Sequence, residues 1–85
     1  MLDLAKADVT ERIAALVRRM MEKRSTARPP GPDDDLRAAG LTSLDLVNLM
    51  LAVEAEFALS IPERDMTPAN FRSIARIAAL VQSTR

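Results

Sequence analysis

The stretch Gly40-Leu41-Thr42-Ser43-Leu44-Asp45-Leu46-Val47-Asn48-Leu49-Met50-Leu51-Ala52-Val53-Glu54-Ala55-Glu56-Phe57 marks where a loop stops and an apolar helix begins. Thr42 or Ser43 can cap that helix, and Thr42-x-x-Asp45 approximates a capping box with Asp in the place usually held by Glu. The spacing therefore predicts a helix over 43–57. Leu46, Leu49, Met50, Val53 and Phe57 form one stripe suited to a core. Leu44, Val47 and Leu51 form a second stripe on a different face. A chain of 85 residues cannot fully bury both stripes, so the second is either extra packing or a surface for a partner. Ser43 sits on the first turn, where free helix N–H groups and the positive end of the helix dipole favour a phosphate.

Outward from this segment, the rest of the chain also reads as helix and loop. Val9, Ile13, Leu16, Val17 and Met20 recur at helical spacing, predicting a first helix that starts between Asp3 and Thr10 and fades by Arg24. Ser25 to Asp35 carries Pro29, Pro30, Gly31 and Pro32, so it is a long loop rather than a helix interior. Asp35 to Ala39 suits a short helical turn that Gly40 ends. Beyond Ile61-Pro62 and the polar segment Glu63 to Asp65, Thr67 as cap and Pro68 behind it predict another short turn. A last helix follows from Ser73, with Ile74, Ile77, Ala78 and Val81 on one face and Leu80 beside them. No segment alternates with period two. The expectation is an all-α fold: a small four-helix bundle of three principal helices and one short one. It forms a single domain over residues 1–85 and is expected to be a monomer.

Composition narrows the chemistry. The chain has no Cys and no His, and neither Trp nor Tyr. Disulfides and thiolate metal sites are excluded, and the commonest general base and metal ligand are missing. No catalytic residue and no metal site is expected. The formal net charge is zero, yet residues 1–28 balance at +3, residues 33–65 at −6 and the tail at +3. The acidic middle can steer a basic partner toward the region around Ser43. No apolar run approaches the ~20 residues a membrane span needs, and the N-terminus lacks the apolar core of a signal peptide. A cytoplasmic protein is expected.

The pattern Asp35-Leu36, Leu41-Thr42-Ser43-Leu44-Asp45, Glu54-x-Glu56-Phe57 and Ile61-Pro62 resembles that of acyl carrier proteins and their peptidyl and aminoacyl relatives. The resemblance covers roughly residues 33–81. It implies that Ser43 accepts a 4′-phosphopantetheine arm from coenzyme A, by the action of a separate phosphopantetheinyl transferase. The arm then carries an acyl or aminoacyl group as a thioester. It also implies that Leu44, Asp45, Val47, Asn48, Leu51, Glu54 and Ile61 serve partner enzymes: an acyl- or aminoacyl-loading ligase and a downstream acyltransferase or synthase. Two departures stand out: Thr42 occupies a position where carriers of fatty-acid synthesis usually have Asp, and Asn48 and Ala55 replace expected acids. Both point to a specialised pathway rather than bulk fatty-acid synthesis.

Rival readings are weaker. A DNA-binding helical domain needs a basic recognition helix, whereas the central helix has no base and lies in the acidic third of the chain. Asp33-Asp34-Asp35 lacks the wider ligand spacing of a calcium loop. The main alternative is a helical protein–protein interaction module without a prosthetic group, in which Ser43 only caps.

Overall fold

The computed structural model describes the backbone of residues 4–22 and 30–84. Helix α1 runs Leu4–Glu22, α2 runs Ser43–Phe57 and α3 runs Ile74–Thr84, with a 3-10 turn at Glu63–Asp65. Among the described residues there is no strand. The first part of the long loop, from Ser25 to Pro29, lies outside the described residues, as do Lys23, Arg24, Arg28 and Arg85. The fold class is the one expected. The Thr67 turn is present too: Thr67 Oγ1 accepts the Asn70 N–H at 3.2 Å. It does not extend into a helix, and the short helix lies earlier, in the polar Glu63–Asp65 segment.

α1 packs against both α3 and α2. Its buried face is Val9, Ile13, Val17 and Met21, with Leu16 and Met20 at its edge. Leu46, Leu49 and Val53 enter from α2, and Ile74, Ile77, Ala78, Leu80 and Val81 from α3. Phe71, 0 % exposed, is the largest side chain fully enclosed by these helices. Ser73, the buried polar residue before α3, caps that helix by accepting the Arg76 N–H at 3.2 Å.

The described part of the long loop is pinned rather than loose. Leu36 donates its N–H to the Arg72 carbonyl at 2.8 Å, and Ala75 donates to the Pro32 carbonyl at 2.9 Å. Leu36 and Leu41 plug into the core at either end of the short turn over 36–40. Asp35 caps that turn through Oδ1, which accepts the Arg37 N–H at 2.9 Å. Gly40 ends it at φ 113°, a conformation that an L side chain rarely adopts. The chain thus reaches Thr42 from a fixed point and in a fixed direction.

The C-terminus of α2 is closed by two devices. Ala58 takes the left-handed conformation (φ 50°, ψ 49°) and its N–H bonds to the Glu54 carbonyl, as does the Leu59 N–H at 3.1 Å. α2 has no basic residue in its own last turn, and Arg12 supplies one from α1. Its guanidinium donates to Glu56 Oε2 and to the Glu56 carbonyl, both at 2.8 Å, and lies 4.5 Å from the centroid of the Phe57 ring. The hydrogen bond to Glu56 holds the Arg12 pKa above its ordinary value.

Candidate functional site

Ser43 is the first residue of α2 and is exposed. Its position follows from the capping box the sequence predicts. Thr42 Oγ1 accepts the Asp45 N–H at 3.1 Å, and Asp45 Oδ2 accepts the Thr42 N–H at 2.8 Å. The Thr42 hydroxyl also donates to Asp45 Oδ2 at 3.0 Å. This box satisfies the N–H groups of Thr42 and Asp45. Those of Ser43 and Leu44 find no acceptor among the described residues. Two unsatisfied donors and the positive helix end therefore lie beside an exposed hydroxyl, an arrangement that suits a phosphodiester. A Cβ built on Gly40, three positions earlier, meets none of the described residues within 4 Å. The residues present fit a phosphate-linked arm on Ser43.

The outer stripe of α2 is uncovered. Leu44 is 69 % exposed, Val47 49 % and Leu51 58 %, and Asn48 is exposed beside them. Large apolar residues exposed side by side on one helix face make this strip a candidate interaction surface.

The other residues expected at this surface are placed differently. Ile61 is 5 % exposed and packs in the core. The cause is Glu54, half-buried, whose Oε2 accepts the Ile61 N–H at 2.7 Å and draws the loop inward. Asp45 is committed to the capping box, and Glu56 to Arg12. Each acid of α2 thus has a structural partner within the chain, with Glu56 still exposed beside Arg12, and the stripe of Leu44, Val47, Asn48 and Leu51 is apolar and neutral. Sequence reasoning missed this because spacing shows which side of a helix an acid is on, not whether a loop or another helix comes to meet it. It also left Arg12 as one surface base among several.

Asp33, Asp34 and Asp35 do not converge. Asp34 Oδ2 accepts the Gly31 N–H at 2.7 Å, and Asp35 pairs with Arg72 at 3.5 Å. No group of potential metal ligands occurs among the described residues. No described helix is long and apolar enough to cross a membrane.

Comparison with known proteins points the same way. The model of the phosphopantetheine attachment site family matches residues 11–81. The chain is 43 % identical over 76 residues to aminoacyl carrier protein 1 of Bradyrhizobium diazoefficiens, covering 89 % of this chain and 84 % of that protein. Aminoacyl carrier protein 2 of the same organism is 35 % identical over 74 residues, covering 87 % and 83 %. A chain in the crystal structure of a Bradyrhizobium japonicum glycine:[carrier protein] ligase, complexed with its cognate carrier protein and an analogue of glycyl adenylate, superposes with a TM-score of 0.73. It is 43 % identical, and the match covers 88 % of this chain and 97 % of that one. A second structure, of the ligase with glycylated carrier protein, gives a TM-score of 0.72 at 43 % identity, covering 85 % and 97 %.

Proposed function

The chain belongs to the phosphopantetheine attachment family of carrier proteins, and from that premise we propose that Ser43 bears the arm and that Leu44, Val47, Asn48 and Leu51 form the surface partner enzymes read. The protein is a non-catalytic carrier that holds an acyl or aminoacyl group as a thioester on covalently attached 4′-phosphopantetheine. An interaction module without a prosthetic group does not describe it. Residues 1–85 act as one carrier domain, working as a monomer.

Attachment asks little of the chain itself. The Ser43 oxygen forms a bond to the β-phosphorus of coenzyme A, while the bond from that phosphorus to the adenosine 3′,5′-bisphosphate leaving group breaks. The transferase takes the Ser43 proton. The chain contributes an exposed hydroxyl held by the Thr42–Asp45 box, with the Ser43 and Leu44 N–H groups beside the phosphate position. That exposed hydroxyl on the capped first turn, next to an uncovered apolar strip, is the observation that carries the reading.

The cargo is a small amino acid, glycine in the first instance, loaded by an ATP-dependent carrier-protein ligase. The support is the 43 % identity to a carrier chain in a glycine:[carrier protein] ligase structure. A downstream acyltransferase or synthase removes the cargo. The test is to convert the protein to its holo form, incubate it with such a ligase, ATP and glycine, and weigh it intact. A gain of one glycyl residue that hydroxylamine removes supports the assignment. Loading with a long-chain fatty acid in preference to any amino acid contradicts it.

A further inference from the structure

Between the exposed leucines of α2 stands one amide. Asn48 follows Leu44 by four residues and precedes Leu51 by three, so it neighbours both on the helix surface. Val47 and Ala55 complete this face, and all five residues are exposed. The Asn48 side chain makes no hydrogen bond to any described residue, so its donors and its acceptor point to water in the free protein. No charge lies among these five residues. α2 contains no base, and its acids are held elsewhere: Asp45 in the capping box, Glu54 on the Ile61 N–H and Glu56 on Arg12. The face is thus an apolar strip, about 10.5 Å from Leu44 to Leu51 along the axis, with a single neutral hydrogen-bonding group inside it.

We propose that Asn48 is the specificity-determining residue of this surface: its amide pairs with a neutral donor–acceptor group of the loading ligase, a backbone peptide or a side-chain amide, and so fixes where the carrier seats. The inference rests on the reading that this strip is what the ligase covers. Apolar contact is non-directional, so Leu44, Val47 and Leu51 alone tolerate more than one offset along a partner's groove. The amide does not. Docking strips its water, and only a seating that returns the lost hydrogen bonds avoids the cost. A lone asparagine in an apolar helical seam sets register in the same way. The amide also rejects wrong partners. A purely apolar pocket strands it, and a pocket presenting Lys or Arg at this point buries a cation with no counter-charge on the strip.

The test compares the holo forms of wild type, Asn48→Leu, Asn48→Gln, Asn48→Asp and Leu51→Asp, each verified by intact mass. The probe is an ATP-dependent glycine:[carrier protein] ligase, and the readout is its KM and kcat for the carrier. Asn48 is exposed and bonds to nothing described, so its variants should unfold at the wild-type midpoint. Asn48→Leu enlarges the apolar strip, yet it should raise KM about five- to tenfold at unchanged kcat, because the ligase's polar group loses its mate. Asn48→Gln, which keeps the amide, should fall between Asn48→Leu and wild type. Asn48→Asp should raise KM as well, since it gives up the donor and buries a charge. A strip that binds by apolar area alone gives the opposite sign for Asn48→Leu, a lowered KM. An Asn48→Leu KM at or below wild type therefore overturns the proposal, as does an Asn48→Asp KM below wild type, which marks a cationic ligase surface. If Leu51→Asp raises KM while Asn48→Leu does not, the role of the amide fails and the strip stands as the ligase surface. If neither raises KM, both fail.

Discussion

Two of the described residues have positive φ, one a glycine and one not, and together they predict opposite stability changes. Gly40 holds φ 113°, and a Cβ there meets nothing within 4 Å. Gly40→Ala therefore introduces backbone strain alone. Holding a non-glycine residue in such a region costs on the order of 1–3 kcal/mol. Against this, alanine reduces the freedom of the unfolded chain, a gain of about 0.4–1 kcal/mol. The balance is a loss of about 1–2 kcal/mol. Ala58 is the mirror case, at φ 50° and ψ 49°. An L residue in the left-handed region costs roughly 1–2 kcal/mol. Ala58→Gly removes that and gives back part of it through the unfolded state, for a net gain of about 0.5–1 kcal/mol. Both are read by urea unfolding of the apo protein at one temperature, comparing midpoints at constant slope. A Gly40→Ala midpoint equal to wild type, or an Ala58→Gly variant less stable than wild type, refutes the claim that these two turns hold the ends of α2 by backbone conformation.

Further predictions concern the loops and the outer face. Glu54→Ala leaves the Ile61 N–H without its charged acceptor beside a buried side chain, and should cost about 1.5–3 kcal/mol in the same urea assay. Leu36→Ala empties a fully enclosed position that ties the long loop to the core, and should cost about 2–5 kcal/mol. Leu51→Asp lies on the exposed face of α2. It should leave the unfolding midpoint within about 0.5 kcal/mol of wild type, while raising the KM of the loading ligase for the holo carrier about tenfold or more. Because the acids of α2 are engaged internally, that KM should vary little with ionic strength. A steep rise with salt indicates a basic partner surface instead.

The sequence revealed the helices because burial repeats with helical period. The inner stripe of α2, the Ile74 face of α3 and the Val9–Ile13–Val17 face of α1 all lie where periodicity places them. The Thr42–Asp45 box was also legible, since a capping box needs only residues three apart. Ile61 was not legible. Its inward position depends on Glu54, seven residues earlier, bonding to its backbone N–H, and no local pattern encodes that contact. Arg12 was invisible for the same reason: it crosses from α1 to the end of α2, a separation of 44 residues. The groove lined by Arg37, Leu46 and Arg72 joins residues from a turn, a helix and the approach to α3. Its pair of arginines reads along the sequence as isolated charge. Short-range geometry was thus available from spacing, and the placement of side chains that meet across the fold was not.

The claim on which the rest depends is that Ser43 is the accepting residue. The direct measurement treats wild type and Ser43→Ala with coenzyme A and a broad-specificity phosphopantetheinyl transferase, weighs both intact, and maps the modified peptide by fragmentation. Ser43 is exposed at the start of α2 and its side chain supports no packing, so the variant should unfold at the wild-type midpoint. The account predicts one phosphopantetheine unit on wild type, localised to Ser43, and none on Ser43→Ala. An unmodified wild type under conditions that modify a control carrier, or an adduct mapped to Thr42 or any other residue, contradicts it.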